Sequence, residues 1–407
     1  MAIIKPFKAL RYNSKTFNDM SDLICPPYDV INNIEREIYL NKNPYNFIRI
    51  EFPKIKKSYD EVKNTFNTYK KNNILIKDKN DSLYLYEMNF KFENKNIKLK
   101  GLVCLVKIED LKSGNIVLHE NTFKKAKDNR FSLLKAINCD TSPLYFLFDG
   151  RNNNIFEKIN FKKQELISNV NFQEVTHNLY RISDIKKINE IIEYFKNKKL
   201  FIADGHHRYE TALNYKYYCN NFLNHKSEYV MVLLVDFFSE ALKLLPTHRI
   251  LKFCDDVDFK KIIEIFSKNF LIEKRYDVKE IENILNKQTL KGKKTLGFYA
   301  GKDSWLLLNF KKIFERLDSY CETQILNDFI LNKFFKNNLI SEIFYERNFD
   351  EIYKLVNKEK TLASFVIPKM SKKNLFNIFL KGIKLPQKTT YFYPKPVSGL
   401  IMHEIDF

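Results

Sequence analysis

The segment Lys199-Leu-Phe-Ile-Ala-Asp-Gly-His-His-Arg-Tyr-Glu-Thr-Ala-Leu213 places an apolar run directly before an acid, a glycine, two imidazoles and a guanidinium. Residues 200–203 predict a short buried strand, and Asp204-Gly205 predicts a turn. From residue 209 to residue 219 the apolar positions 209, 212, 213 and 217 share one face, which predicts a helix. We therefore expect a strand, a glycine turn and a helix in succession.

Residues 204–208, here called the histidine turn, carry the side chains of a predicted anion site. His206, His207 and Arg208 fall in the first helical turn, where unbonded backbone N–H groups and the positive end of the helix dipole favour an anion. Arg208 adds a forked donor that suits phosphate or carboxylate oxygens. The turn therefore predicts an anion site, and phosphate is the anion that fits it best.

Two other interpretations apply to the histidine turn. Asp204 alone would merely cap a surface helix, because Asp is a favoured N-cap residue. His206 and His207 would suggest a metal, but adjacent residues point about 100° apart on a helix and do not readily share one ion. The chain has only 7 histidines. Two of them beside an arginine on a glycine turn favour a functional site.

Composition excludes some classes of protein. The chain has 407 residues, 44% of them hydrophobic and 15% aromatic, which excludes a disordered protein and predicts two or three structural units with an ample core. The net charge of +20 resembles that of a nucleic-acid-binding protein. However, the lysines are scattered along the chain instead of clustering on one motif. We interpret most of them as solvated surface, with a polyanion-binding surface as the alternative.

Cysteine spacing and hydropathy bear on the compartment. The 6 cysteines are widely spaced and form no Cys-x-x-Cys pair, so we expect neither structural zinc nor a disulfide framework. The N-terminal segment lacks the apolar core of a signal peptide, and no apolar stretch approaches the roughly 20 residues that span a bilayer. These features predict a cytoplasmic protein without a membrane partner.

Three regions are indicated by the pattern, and together they predict an α/β (α+β mixed) fold. The region 1–150 contains a helical stretch and two β-type runs, at 83–90 and 102–108, which Glu93-Asn-Lys-Asn96 joins as a hairpin. The region 151–254 contains the histidine turn and a β-type run at 229–238, so its strand–helix–strand order predicts a crossover unit. The region 255–407 is predicted to be helix-rich, with a basic C-terminal segment.

Two further segments place chemically active side chains at predicted loops. His119-Glu120 with Thr122, Lys125, Asp128 and Arg130 follows a β-type run, where catalytic side chains are commonly presented. Glu120 is a candidate general base, and the alternative is a solvated charged loop. Thr247-His248-Arg249 repeats a His-Arg pair after a strand. Its alternative is a core histidine beside a surface arginine.

Two segments near the ends of the chain are more ambiguous. Lys388-Thr-Thr-Tyr-Phe-Tyr-Pro-Lys395 interleaves lysines, hydroxyls and aromatics, which suits phosphate binding or base stacking, whereas lysines also protect edge strands from pairing. Pro26-Pro-Tyr-Asp29 is by itself typical of a rigid turn. No Walker loop, nucleophile elbow, His-Glu-x-x-His or GxGxxG motif is present in the sequence.

These segments, taken in order, resemble a known family. Pro26-Pro-Tyr-Asp-Val-Ile31, His119-Glu120-x-Thr122, residues 202–212, Leu245-Pro-Thr-His-Arg249 and the terminal 388–395 segment with Ser398-Gly-Leu400 are similar to the motifs of the bacterial domain of unknown function 1015 family. The resemblance spans essentially the whole chain. Gln387 stands where the family has a proline, and Thr389 stands for its serine. The family name itself implies no activity.

A more distant resemblance implies chemistry. The histidine turn is similar to the nucleotide-phosphate motif of the ParB/sulfiredoxin superfamily, which includes a kinase of free serine, sulfiredoxin and a CTP-hydrolysing partition protein. The resemblance implies a ParB/sulfiredoxin-like nucleotide-binding core with additional α/β and C-terminal helical elements. It also implies that Gly205, His207 and Arg208 contact the phosphates, and that Asp204 and His206 orient the transferred group or its Mg²⁺.

The leading hypothesis is a phosphotransferase that uses ATP or ADP with Mg²⁺ and acts on a small hydroxyl compound, with free serine as the first substrate to test. The alternatives are a nucleotide- or nucleic-acid-binding ParB-like protein without small-molecule turnover, and a phosphate-ester hydrolase.

The candidate catalytic residues are Glu120, Asp204, His206 and His207, with Asp204 also the candidate metal ligand. The candidate nucleotide- and phosphate-binding residues are Gly205, His207, Arg208, Thr247, His248, Arg249, Lys388, Thr389, Tyr391 and Lys395. The candidate substrate-binding residues are Tyr28, Asp29, His119 and Arg130.

Overall fold

A computed structural model describes residues 2–54, 58–110, 113–120, 124–223, 227–256, 258–302, 304–311 and 321–405. Within these residues the chain forms two compact units. Unit 1 comprises Met1–Leu118, Thr122–Lys243 and Pro394–Phe407, and unit 2 comprises His119–Asn121 and Leu244–Tyr393. The sequence-based border at residue 150 lies inside unit 1, and the three-region division stays a prediction.

The strands, in chain order, are β1 (Ile4–Lys5), β2 (Leu10–Tyr12), β3 (Leu75–Lys77), β4 (Leu83–Phe92), β5 (Lys95–Lys107), β6 (Ile116–Val117), β7 (Cys139–Asp140), β8 (Leu144–Phe148), β9 (Glu165–Phe172), β10 (Val175–Ile182), β11 (Leu200–Asp204), β12 (Tyr229–Asp236), β13 (Lys243–Leu245), β14 (His248–Phe253), β15 (Phe270–Arg275), β16 (Thr295–Tyr299), β17 (Trp305–Phe310), β18 (Ile340–Glu346), β19 (Leu362–Val366), β20 (Tyr391–Tyr393) and β21 (His403–Glu404).

The α-helices are α1 (Asn33–Lys42), α2 (Ile48–Glu51), α3 (Asp60–Lys71), α4 (Lys124–Ile137), α5 (Ile155–Lys158), α6 (Ile185–Lys196), α7 (His206–Tyr218), α8 (Phe259–Ser267), α9 (Ile281–Leu290), α10 (Glu322–Leu326), α11 (Asn332–Lys336), α12 (Phe349–Lys358) and α13 (Lys372–Leu380). Single turns of 3₁₀ helix lie at Tyr28–Val30, Phe161–Lys163 and Val278–Glu280, and π-helical turns lie at Cys219–Leu223 and Asn327–Leu331. The mixed α/β fold class predicted from the sequence is confirmed.

Unit 1 is built on a mixed sheet in which strands follow the order β6-β11-β8-β12-β5-β4-β10-β9, with β1 also paired to β5. Its central strands are apolar on both faces: every residue of β8 is buried, as are seven of the eight in β12. Such continuous apolar runs are typical of strands that are covered on both sides. Ile191 and Phe195 of α6 and Tyr209 and Ala212 of α7 pack in one core with these strands.

The predicted hairpin in unit 1 is confirmed. β4 and β5 pair antiparallel from Tyr84↔Val103 to Phe92↔Lys95. Only Glu93 and Asn94 separate the strands, and both have positive φ, at 48° and 62°. Positive φ at both central residues defines the two-residue turn whose twist matches that of the flanking strands. Both arms are longer than the sequence predicted.

The predicted crossover unit around the histidine turn is wrong. β11 runs antiparallel to β8, whereas β12 runs parallel to β8. The strands before and after α7 therefore run in opposite directions, and β8 from earlier in the chain lies between them. The strand–helix–strand pattern predicts parallel strands only if the two strands are neighbours in the sheet. Here β8 separates β11 from β12, so the pattern does not determine their relative direction.

Unit 2 contains a sheet with the strand order β15-β17-β16-β19-β14-β18, in which each strand pairs antiparallel with its neighbours. Phe266 of α8 and Phe334 of α11 pack in one core on this sheet, and Ile281 of α9 and Ile352 of α12 pack in another. The region predicted to be helix-rich therefore does carry helices. They cover an antiparallel sheet that the sequence pattern did not predict.

Candidate functional site

The histidine turn has the predicted strand–glycine–helix geometry. β11 ends at Asp204, α7 begins at His206, and Gly205 joins them with a φ of +92°. This left-handed conformation is strained for residues that carry a Cβ atom. A Cβ on Gly205 would also lie 3.1 Å from Arg208 Nη2 and 3.2 Å from Leu144 Cδ2. Glycine therefore permits both the turn and the position of the Arg208 guanidinium.

The buried face of α7 differs in part from the prediction. Tyr209 and Ala212 are buried as expected, but Tyr217 is 47% exposed and Tyr215 is fully buried instead. Tyr215 packs in a small core with Leu134 and Cys219. The helix is therefore covered on a wider face than the apolar positions alone indicate.

Asp204 lies in a cluster of opposite charges within unit 1. Its Oδ1 accepts a hydrogen bond from Lys395 Nζ at 2.8 Å, and its Oδ2 is 3.6 Å from Arg208 Nη2. Lys395 Nζ also lies 3.5 Å from Asp29 Oδ2. The Lys395 side chain is only 10% exposed. One ammonium group is therefore held between two carboxylates beside the first turn of α7.

Arg208 is anchored by the start of β8. Its Nη1 donates to Ser142 Oγ at 2.8 Å and lies 3.3 Å from the Ser142 carbonyl oxygen. The Arg208 side chain is 11% exposed. The guanidinium is thus fixed at one edge by Ser142 while its other edge lies near Asp204.

Arg130 and Tyr28 form the neighbouring part of this cluster. The Arg130 guanidinium stacks 3.9 Å from the centre of the Tyr28 ring, and its Nη1 donates to the Glu51 carbonyl oxygen at 2.9 Å. Glu51 is fully buried, and its Oε1 accepts from the Tyr28 backbone N–H at 3.3 Å. Burial and the charge of Asp29 raise the pKa of Tyr28 to about 12, although Arg130 and Arg208 oppose the shift. Tyr28 is therefore a neutral phenol at neutral pH.

Glu51 and Ser142 were missed from the sequence. Glu51 ends the apolar run Phe47-Ile-Arg-Ile-Glu51, and a lone acid in such a run must be paired if it is buried. Ser142 lies two residues before the apolar strand β8, just as Asp204 lies at the end of the apolar strand β11. Both signals were present but weak.

His206 and His207 differ in environment. His206 is 5% exposed, and burial lowers its pKa to about 3, with smaller contributions from His207 and Lys395. His207 is half-buried, and its carbonyl oxygen accepts from Thr211 Oγ1 at 2.8 Å. His206 is therefore neutral at neutral pH.

The low pKa of His206 predicts an acid-dependent loss of stability. In the unfolded chain the imidazole binds a proton near pH 6.5, whereas in the folded protein it does so only near pH 3. Protons therefore favour unfolding as the pH falls through this window, and the stability is fully present above it. At pH 5 His206 is expected to lower the free energy of unfolding by about 2 kcal/mol. Urea unfolding measures the free energy of unfolding at pH 7 and at pH 5. The decrease between the two pH values should be smaller by this amount in His206→Asn than in the unsubstituted protein. An identical drop in both proteins would contradict the assignment.

Unit 2 holds a second group of the predicted residues. The His119 carbonyl oxygen accepts from Leu385 N at 2.6 Å, and His119 Nε2 lies 3.2 Å from Thr390 Oγ1. Glu120 Oε1 accepts from Lys388 N at 3.2 Å. The 119–120 segment is thus bonded to the 385–390 segment, which brings two separately predicted motifs together.

Arg249 completes this second group. Its Nη2 lies 3.3 Å from the Gln387 and 3.2 Å from the Lys388 carbonyl oxygens, and its Nη1 donates to the Thr247 carbonyl oxygen. Burial lowers the pKa of Arg249 to about 10. The guanidinium therefore remains charged at neutral pH and orders the segment that carries Lys388.

The other predicted residues of unit 2 have local partners. His248 is fully buried; its Nδ1 accepts from Ile367 N at 3.0 Å, and its Nε2 lies 3.3 Å from Glu282 Oε1. Thr389 Oγ1 donates to the Pro386 carbonyl oxygen at 2.6 Å. The Arg347 guanidinium stacks 4.0 Å from the Tyr391 ring centre.

The predicted residues therefore fall into two groups. Unit 1 brings together Tyr28, Asp29, Arg130, Lys395 and the histidine turn. Unit 2 brings together His119, Glu120, Thr247, Arg249 and Lys388, whereas His248, Thr389 and Tyr391 contact other residues of the unit. Thr122 of the His119-Glu120 motif lies outside the described residues.

Metal-ligating side chains are dispersed in the part of the chain that the structure describes. Among the described residues, no three His, Cys, Asp or Glu side chains converge in a way that would hold a metal ion by themselves. None of the helices in the described ranges combines the length and the apolar character needed to cross a lipid bilayer.

One protein family matches this chain. The model of a family described as "Protein of unknown function (DUF1015)" matches residues 4–326. The matched region includes Pro26-Pro-Tyr-Asp29, the histidine turn and Leu245-Pro-Thr-His-Arg249, whereas the C-terminal 388–400 motif lies beyond it. No curated protein sequence matches the chain.

Several solved structures are similar to this chain at low sequence identity. Free serine kinase in complex with AMP is 12% identical, with a TM-score of 0.41 over 73% of this chain and 92% of that chain. A conserved hypothetical protein from Pyrococcus furiosus is 13% identical, with a TM-score of 0.41 over 73% of this chain and 94% of that chain. SbnI with a C-terminal truncation, from Staphylococcus aureus, is 12% identical, with a TM-score of 0.38 over 71% of this chain and 82% of that chain.

Proposed function

We propose that this chain, which belongs to the DUF1015 family, is a nucleotide-dependent phosphotransferase that acts on the hydroxyl group of a small molecule. The observation that carries the proposal is the cluster at the histidine turn. There a helix begins beside Arg208, and Lys395 Nζ lies 2.8 Å from Asp204. Backbone N–H groups at a helix start, together with two cations, form a site suited to nucleotide phosphates.

Positioning and charge neutralisation account for the proposed chemistry. Phosphoryl transfer spreads negative charge over the equatorial oxygens of the transferred group, and fixed cationic donors stabilise that charge. Arg208 is held by Ser142, and Lys395 is held by Asp204 and Asp29. Both cations are therefore pre-positioned. Gly205 lets the nucleotide phosphates approach the backbone at the start of α7.

With ATP as donor, the γ-phosphoryl group is transferred to the acceptor hydroxyl group. The acceptor oxygen forms a bond to the γ-phosphorus, and the bond from that phosphorus to the bridging oxygen breaks, so that ADP leaves with the electron pair. The hydroxyl proton passes to a carboxylate base. Glu120 stays the sequence-based candidate for that base, and within unit 2 its Oε1 accepts from Lys388 N at 3.2 Å. With ADP as donor, the β-phosphoryl group is transferred and AMP leaves.

The carboxylates around Lys395 fit Mg²⁺. This ion is commonly bound by one or two carboxylates together with nucleotide phosphates. Asp204 and Asp29 already share one cation, the Lys395 ammonium. Asp204, the candidate metal ligand, would hold the ion together with the phosphates, and the ion would supply further neutralisation of phosphate charge when bound.

The proposal is tested by turnover. Purified protein incubated with Mg²⁺, free serine and either ATP or ADP is expected to yield a phosphorylated serine and the shortened nucleotide. The acceptor-dependence of nucleotide consumption separates a kinase from a phosphate-ester hydrolase. Mononucleotide binding at one site should change little with salt, whereas nucleic-acid binding through many phosphate contacts should weaken steeply. Absence of mononucleotide binding would contradict the proposal.

A further inference from the structure

A small cavity in unit 1 is lined by two arginines, buried Arg130 and largely buried Arg208. It has a volume of about 40 Å³, and its polar lining residues are Arg130, Asp140, Thr141, Ser142, Arg208 and Thr211. The remaining wall is apolar and includes Leu134 and Ala212. The cavity has room for a small polar group but not for a nucleotide.

The two guanidinium groups leave hydrogen-bonding capacity unused. Considering only the part of the chain that the structure describes, buried Arg130 Nε and buried Arg208 Nη2 have no hydrogen-bond partner. Arg130 is 8% exposed. Buried donors of this kind are costly unless something accepts from them. Arg208 Nη2 has the Asp204 Oδ2 ion-pair contact at 3.6 Å, beyond hydrogen-bond distance. Both arginines that line the cavity therefore retain donor capacity, which favours a bound acceptor.

The acidic residue at the cavity is already engaged. Asp140 Oδ2 accepts from Met231 N at 3.0 Å and lies 3.0 Å from His403 Nδ1. Its negative charge is therefore directed towards these partners. The other polar lining residues are two arginines and three neutral hydroxyl residues, so the arginines give this part of the lining a net positive charge.

We propose that this cavity binds an oxyanion group of the phosphate acceptor, which makes the acceptor a small hydroxy acid or a phosphorylated alcohol. Guanidinium forks match carboxylate and phosphate oxygens. This inference rests on the proposed phosphotransferase function, because it names the class of acceptor. It adds Arg130 as a residue that selects the acceptor by its charge.

The experiment measures binding without nucleotide. Calorimetry of the full chain with glycerate, glycerol and inorganic phosphate compares a carboxylate, its uncharged analogue and a phosphate. Either glycerate or phosphate is expected to bind at least about tenfold more tightly than glycerol, and the stronger of the two identifies the oxyanion. Arg130→Lys is expected to weaken that binding about tenfold or more, because lysine lacks the guanidinium fork.

Arg36→Lys is the matched control. Arg36 is also buried and donates to a backbone carbonyl, that of Phe52, but it does not line the cavity. The Arg36→Lys variant should bind the oxyanion with the same affinity as the unsubstituted protein. Leu134→Phe provides a second test that keeps both arginines, because the larger ring fills the cavity and should also block the anion. Unchanged anion binding in Arg130→Lys and Leu134→Phe would overturn the inference.

Failure of this inference is distinguishable from failure of the proposed function. If an anion binds through Arg130 but no acceptor is phosphorylated, the kinase proposal fails and the oxyanion site stands. If an uncharged alcohol is phosphorylated as efficiently as glycerate or serine, the oxyanion inference fails and the kinase proposal stands.

Discussion

Arg208→Ala is expected to reduce nucleotide-dependent phosphoryl transfer by about a thousandfold or more, which is the range for losing a cationic or oxyanion-stabilising donor. Arg208 is the cation next to the start of α7, and Ser142 Oγ holds its Nη1 at 2.8 Å. Alanine removes both the charge and the fork, whereas water cannot supply a fixed donor in the same place. The measurement is the steady-state rate with saturating nucleotide and acceptor.

Two variants make this result interpretable. Arg151→Ala removes an arginine of the same unit whose side chain is 52% exposed and paired with Asp149, so its rate should match that of the unsubstituted protein. Arg208→Lys keeps the charge without the fork, and its rate should lie between that of Arg208→Ala and that of the unsubstituted protein. Thermal unfolding of each variant separates a lost site from a lost fold. Unaltered turnover in a folded Arg208→Ala protein would contradict the assignment of the histidine turn as the nucleotide-phosphate site.

The local structure around this arginine could be predicted from the sequence. An apolar run predicts a buried strand, Asp-Gly predicts a turn, and helical periodicity predicts the helix after it. All three signals lie between residues 200 and 219, and the glycine adopts the positive φ that the turn requires. Local conformation was predictable here because neighbouring residues determine it.

Strand direction and pairing could not be predicted in the same way. β11 and β12 have the sequence spacing of a crossover, yet β8 separates them and reverses their relation. The antiparallel sheet of unit 2 pairs segments as distant as Arg249 and Phe365. Such pairing depends on contacts between residues that are far apart in the chain, which local periodicity does not encode.

The candidate site shows the same division. Local physics predicts a site at residues 204–208. Lys395 belongs to a separate predicted segment, 388–395, and no local pattern indicates that it lies beside Asp204, 191 residues away. Glu51 was missed because its role depends on Arg130 and Tyr28, which approach it only in the fold. Long-range ion pairs are thus the part of a site that one sequence reveals least.

Gly205→Ala is the second substitution with a large expected effect, because it alters the turn that places both Asp204 and Arg208. A φ of +92° is unfavourable for alanine by about 1–2 kcal/mol. In addition, the new Cβ would lie 3.1 Å from Arg208 Nη2 and 3.2 Å from Leu144 Cδ2. Leu144 begins a buried strand, so the guanidinium is the group that must move. We expect mononucleotide affinity to fall by about tenfold or more, measured by calorimetry, since a displaced fork loses at least one charge-assisted hydrogen bond.

Gly114→Ala separates displacement of Arg208 from backbone strain. Gly114 also belongs to unit 1 and has a φ of +72°, but among the described residues a Cβ there would meet no atom within 4 Å. Both substitutions should therefore lower the free energy of unfolding by about 1–2 kcal/mol, whereas only Gly205→Ala should lose nucleotide affinity. Equal affinity in the two variants would mean that the position of Arg208 does not control binding, and the phosphate site would then have to lie elsewhere in the chain.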